Sequence, residues 1–308
     1  MAAQSVDVAA ARPGPALRGL VGGYHGFRVA GLPPGRHLGL PAPQLGLVIA
    51  LGDPVHLAAM PDPARPAGSF RALVHGLHTR PAVIAHDGSS YTLSVDLTPA
   101  GCRVLFGVPA AALAGTVVGL DHLLGRFADE LAGRLAAAPG WPARFAVLDE
   151  VLTGRATRCA GAAPDAVAAA AWRRLLDSGG RLTVAELAGA AGYTRPYLTR
   201  RFVREYGLTP KQVARVVRFA RSHRLLRDLG RARGRLAGPD RPDRPERPER
   251  TARPERRRTL AEVAAACGYY DQAHLAREWS ELAGCPPSVW LAEERLPFVE
   301  GPVGPSAP

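Results

Sequence analysis

Two arginines stand at matching places in this chain, Arg200 two positions after Leu198 and Arg277 two positions after Leu275. Each leucine is followed four residues later by an aromatic, Phe202 or Trp279, so leucine and aromatic share one helix face. At about 100° per residue the arginine between them points nearly opposite that face. A guanidinium fork turned outward suits a phosphate or the O6 and N7 edge of a guanine. The motifs of other chemistries are missing. There is no GxSxG, phosphate loop, GxGxxG or HExxH, so catalysis has no constellation to stand on, and neither an enzyme nor a cofactor is expected. Cys102, Cys159, Cys267 and Cys285 lie far apart with no CxxC pair and read as buried thiols rather than zinc ligands. His75 and His78, with His37 and His86, raise the idea of a metal-binding barrel. No carboxylate stands at a recognisable spacing beside them, and ordinary histidines are the expectation.

The helices that would carry the two arginines are written twice. TVAELAGAAG (183 to 192) and TLAEVAAACG (259 to 268) share Thr, Ala, Glu, Ala, Ala and Gly in register. Each opens on a Thr-x-x-Glu capping box, Thr183 with Glu186 and Thr259 with Glu262, and each reaches a glycine, Gly192 or Gly268, able to stop a helix in a left-handed cap. A second helix follows each turn and stops at Gly207 or Gly284, with Pro210 or Pro287 three residues on. The repeated unit is therefore a helix-turn-helix. TPKQVARVVRFARSHRLLRDL (209 to 229) is the expected connecting helix, with Val213, Val216, Val217 and Ala220 inward.

The stretch from Thr183 to Trp290 resembles the AraC/XylS transcription regulators, through AELAGAAGYTRPYLTRRFVREYGLTPKQVARVVRFARSHRLL and LAEVAAACGYYDQAHLAREW. The resemblance covers the C-terminal third. It implies two helix-turn-helix units reading successive major grooves of double-stranded DNA, in a regulator that more often activates than represses. It places Arg195, Pro196, Thr199 and Arg200 of the first unit, and Gln272, Ala273 and Arg277 of the second, at base edges. Arg200 and Arg277 would fork to guanine and Gln272 to adenine, whereas Pro196 offers only apolar contact. Arg201, Arg204 and His274 are expected at phosphates. The resemblance further implies a sensing or dimerising domain ahead of the DNA-binding one, with an unknown small-molecule effector, and it admits RNA polymerase and a second copy of the chain as partners.

The remaining sequence fits that layout as an α+β chain. Residues 1–17 are small and Pro/Ala-rich and read as a disordered start. Residues 18–178 form the expected sensing domain. It is β-rich and mostly antiparallel over 20–110, where Asp87-Gly88 signals a hairpin, and helical over 111–178. LDHLLGRFADELAGRLAAA (120 to 138) carries one apolar stripe, as a single helix would. The all-α double helix-turn-helix domain spans 179–296, with an Arg/Pro/acid insertion at 231–258 that repeated prolines deny regular structure, and a flexible tail at 297–308.

The net charge of +12 comes from 39 basic residues, of which only Lys211 is a lysine. Its distribution is uneven. Residues 179 to 230 hold 11 basic and 3 acidic residues, residues 231 to 258 hold 11 and 5, and residues 259 to 308 hold 2 and 7. The insertion either supplies phosphate contacts that its acidic neighbour lacks or is a solvated loop. No apolar run is long enough for a membrane span and no secretory signal opens the chain, so a cytoplasmic protein is expected. Two other functions stay open. One is an alkyl-transfer enzyme targeted to DNA, which would need a reactive cysteine such as Cys102; the other is a nonspecific architectural DNA-binding protein.

Overall fold

A computed structural model describes residues 4–159, 164–232 and 258–293. An antiparallel β-rich N-terminal region precedes a helical C-terminal region, an α+β arrangement. The strands are β1 (Ser5–Ala11), β2 (Val21–Ala30), β3 (Gly35–Gly39), β4 (Leu45–Ala50), β5 (Val55–Ala59), β6 (Gly68–Phe70), β7 (Ala72–His75), β8 (Ala82–His86), β9 (Ser90–Leu97) and β10 (Val117–Gly119). They make a six-stranded sheet in the order β1-β2-β9-β4-β7-β10 and a four-stranded sheet in the order β3-β8-β5-β6. The helices are α1 (Pro99–Phe106), α2 (Leu120–Leu124), α3 (Phe127–Ala137), α4 (Gly140–Arg158), α5 (Ala166–Asp177), α6 (Val184–Ala190), α7 (Arg195–Tyr206), α8 (Pro210–Ala232), α9 (Leu260–Cys267), α10 (Gln272–Ala283) and α11 (Pro287–Glu293).

The large sheet has two different faces because side chains alternate along a strand. One face packs on helices. Tyr24 stacks on Phe145 of α4 at 6.0 Å, and Leu47, Val74, Leu93 and Val95 join α1, α3 and α4 in one buried cluster. Gly26 is required there, since a Cβ at that position would lie 2.2 Å from the Trp141 ring. The other face, carrying Thr92, Ser94 and Asp96 of β9 and His25 of β2, turns toward the small sheet across a cavity.

Four local readings of the sequence change. Residues 5–11, read as part of a disordered start, form β1, which pairs with β2 from Ser5↔Ala30 to Ala11↔Tyr24; the Asp7 carboxylate also accepts a hydrogen bond from the Trp141 indole at 2.9 Å. Asp87-Gly88 does turn the chain, with Gly88 at φ +104°, but β8 and β9 do not pair with each other. A Cβ on Gly88 would meet the Leu32 carbonyl at 1.9 Å, so the turn is pinned beneath the β2–β3 loop and carries the chain from the small sheet to the large one. The stripe over 120–138 is split into α2 and α3 at Gly125, whose φ of 55° and ψ of −137° suit only glycine. A short helix, α1, falls inside the span read as β-rich, and a strand, β10, inside the span read as helical.

The C-terminal helices follow the repeat. α6 and α7 form the first helix-turn-helix unit, α9 and α10 the second, and α8 joins them. At 1.5 Å per residue α8 is about 34 Å long. Its apolar residues divide between two cores: Val213 and Val217 enter the cluster continuous with the N-terminal region, and Val216 and Phe219 enter the cluster of the second unit. Phe219 is fully buried and Ala220 only half-buried, one position from the sequence reading. Most of the insertion, residues 233–257, and the tail at 297–308 lie outside the described residues.

Candidate nucleic-acid interface and inter-sheet cavity

Both capping boxes form. Glu186 accepts from the Thr183 N–H at 2.8 Å while Thr183 Oγ1 accepts from the Glu186 N–H at 3.2 Å, and Thr259 and Glu262 repeat this at 2.7 and 3.2 Å. The turns use Gly192 at φ +71° and Gly268 at φ +79°. The second helices are capped by Thr194, which accepts from the Tyr197 N–H, and by Asp271, which accepts from the His274 N–H. Leu198 and Phe202, like Leu275 and Trp279, are fully buried.

Those anchored faces leave the opposite faces outward. Arg195, Pro196, Arg200 and Arg204 on α7 are exposed and Thr199 is half-buried; Gln272, Ala273 and Arg277 on α10 are exposed. Among the described residues Arg195, Arg200, Arg204 and Arg277 have no ion-pair or hydrogen-bond partner. Arg201 differs. Its guanidinium donates to Asp165 at 2.7 Å and to the Tyr197 hydroxyl at 2.7 Å, bracing α7 against the start of α5. Burial opposes ionisation of Asp165, but hydrogen bonds from Arg201 and the Ala168 N–H outweigh it and hold the carboxyl below its usual range. His274 is half-buried and engaged inside its own unit, its Nδ1 accepting from the Tyr270 N–H at 3.3 Å and its ring edge-on to Tyr269 at 5.4 Å.

Each unit is also fixed from behind. In the first, Arg103 of α1 donates two hydrogen bonds to Glu205 of α7, at 3.1 and 2.7 Å, and Gly207 lies so close to Ala114 that a Cβ would come within 2.3 Å. The second unit is held to α8 by Arg215, which pairs with Glu278 at 2.8 Å and with Glu281, and by Arg218, which also donates to the Gly180 carbonyl at 2.8 Å. It meets the N-terminal region elsewhere: Leu40 lies in the same buried cluster as Val216, Phe219 and Trp279, and Pro81 approaches Gly284 at the end of α10.

The cavity between the sheets has a volume of about 200 Å³. Polar groups of the large sheet, His25, Thr92, Ser94 and Asp96, face apolar groups such as Leu57 and Ile84 of the small one. His25 is 5% exposed; its Nε2 lies 3.0 Å from Asp96 Oδ2 and its Nδ1 has no partner among the described residues. Leu38, Leu40 and His78 form part of the wall, and the His78 Nδ1 donates to the Arg80 carbonyl at 2.6 Å. His37, His75 and His78 thus share a cavity, with His86 outside it, but among the described residues no group of three His, Cys, Asp or Glu side chains is placed to hold a metal. Cys102 is fully buried and burial pushes its thiol up to about 12, the reverse of an activated nucleophile.

The model of a family described as a domain of unknown function (DUF6597) matches residues 10–119, ending at the last residue of β10. A comparison with curated proteins finds no match. Among solved structures the chain is similar to ToxT from Vibrio cholerae O395, at 9% identity over 87% of this chain and 96% of that one, with a TM-score of 0.48. It is similar to unsaturated fatty acid bound ToxT from Vibrio cholerae strain SCE256, at 9% identity over 94% and 97%, with a TM-score of 0.49. It is also similar to the AraC-like transcriptional activator CuxR, at 15% identity over 72% and 86%, with a TM-score of 0.29. Likeness at this level assigns no residue and no ligand to the present chain. Among the described residues no helix is long and apolar enough to cross a membrane.

Several residues that matter to these sites carry no local signal. Asp165 precedes α5 and is 36 positions from Arg201; Arg103 is 102 positions from Glu205; Asp96 is 71 from His25. Tyr270 has a signal of a different kind. The second unit has one more residue than the first between its turn glycine and its helix cap, and that residue is Tyr270, 93% exposed.

Proposed function

We propose that the chain is a sequence-specific DNA-binding transcription regulator of AraC/XylS type, in which α7 and α10 enter successive major grooves and the N-terminal region answers an effector. One observation carries the reading. Two units that open on the same capping box, joined by a helix of about one DNA turn in length, each expose an arginine at the same place, Arg200 and Arg277, without a partner among the described residues. Arg195, Pro196 and Thr199, and Gln272 and Ala273, complete the base-facing edges; Arg204 meets phosphate. The buried, raised thiol of Cys102 does not suit alkyl transfer. The fatty acid bound by one ToxT structure offers no lead, since among the described residues neither Arg nor Lys lines the cavity to meet a carboxylate.

The effector response follows from how the two units are held. The first is continuous with the core of the N-terminal region and tied by Arg103 to Glu205. The second rests on Leu40 and Pro81, and Leu40 is at once cavity wall and part of that unit's core. A ligand that shifts β3 therefore acts on the second unit first.

Selection of duplexes from a random pool by the full chain tests the reading. Arg200→Ala and Arg277→Ala should each relax one base position of the enriched site, by about 1 to 3 kcal/mol. Failure to enrich any sequence, or equal losses on every duplex, would leave a nonspecific binder.

A further inference from the structure

Sandwiched sheets ordinarily meet through apolar inner faces. Here the inner face of β9 is Ser90, Thr92, Ser94 and Asp96, opposite a mostly apolar wall that includes His37. Packing alone gives no reason for that row. Nor does it explain His25, which is 5% exposed, lies against the cavity and has a bare Nδ1, in a class of buried polar atoms that nearly always find a partner.

The tautomer of this imidazole follows from its partner. An ionised carboxylate only accepts, so Asp96, 3.0 Å from Nε2, fixes the ring proton on Nε2. In the neutral ring Nδ1 is then an acceptor, which a donating group completes. Charge gives the same answer. Among the described residues Asp96 is the only carboxylate of the cavity wall and neither Arg nor Lys lines it, so beside the histidines a buried anion would meet no permanently charged cation. The volume of about 200 Å³ limits size. At roughly 30 Å³ per water it would hold about half a dozen waters, or one small ring with a short substituent.

We propose that this cavity binds a compact molecule that offers an alcohol or amine hydrogen to His25 Nδ1 and lays an apolar body against Leu57 and Ile84, and that it excludes carboxylates. The proposal deepens the reading above, since it names the effector class of the sensing region, and it rests on that reading for its regulatory meaning.

Three probes of one shape separate the head groups: benzyl alcohol, benzylamine and benzoate, titrated into the full-length chain by calorimetry or ligand-observed NMR. The alcohol and the amine should bind saturably and benzoate at least tenfold more weakly; the ratio of the first two distinguishes a neutral from a cationic ligand. His25→Phe should weaken both donors at least tenfold. Asp96→Asn removes the charge that fixes the tautomer and should narrow the gap between alcohol and benzoate at least tenfold, which keeps the proposal testable if the phenylalanine variant does not fold. Benzoate binding as tightly as the alcohol, no saturable binding by any probe, or an unchanged head-group preference in Asp96→Asn overturns it. DNA binding measured alongside keeps the two failures apart: lost head-group preference with intact DNA binding sinks only the ligand assignment, and the converse sinks only the regulator.

Discussion

Arg200 and Arg201 are neighbours in sequence with opposite circumstances. Arg200 is exposed and has no partner among the described residues, while Arg201 is tied to Asp165 and Tyr197. From sequence both are arginines on an outer helix face, and only the fold brings Asp165 to one of them. The two should behave differently. Arg201→Ala should lower the melting temperature and leave the salt dependence of DNA binding unchanged, because its charge braces α7. Arg204→Ala should weaken all duplexes alike and flatten the slope of log K against log salt by about 0.9, the loss of one phosphate contact; melting curves and salt titrations of the two variants check this. The Asp165 carboxyl is held below its usual range, so its contribution is present above the unfolded carboxylate value and is lost as pH falls through the lowered folded value. The brace is accordingly intact at neutral pH. Arg200 and Arg277 were legible because a four-residue spacing fixes the buried face and, with it, the outward one. The His25–Asp96 pair was not, because it joins two strands that share no local pattern.

Among the elements, those of the repeat were the most legible. Capping boxes and glycine stops act within a few residues, so Thr183 with Glu186 and Thr259 with Glu262 could be read directly, and both form. Thr183→Ala or Thr259→Ala should cost about 1 kcal/mol each, the usual worth of such a cap, measured by chemical denaturation. Elements whose fate is set at a distance were misread. Asp87-Gly88 is a true turn, but a turn signal does not say which strands pair, and contact with Leu32 sends β9 to the other sheet. The stripe from Leu120 to Leu135 keeps its period across Gly125, so periodicity alone could not show the break that its positive φ makes. β1 was lost to composition: small residues at a chain start resemble a frayed end until a partner strand is present to pair them.

At the scale of the molecule, the N-terminal region holds the two helix-turn-helix units in different ways, and the difference can be measured. Leu40→Ala should speed amide exchange in α9, α10 and α11 and leave α6 and α7 unchanged, since Leu40 belongs to the second unit's core and the first is held by Arg103 and the continuous core. Equal change in both units would remove the asymmetry. In the proposed function Arg200 and Arg277 face one duplex together. The most direct test takes the enriched site and inserts about 5 base pairs, half a helical turn, between the two positions that the alanine variants relax. Affinity should drop to that of a single unit and recover in part when the insertion reaches about 10 base pairs. Undiminished binding with the half-turn insertion would contradict that arrangement.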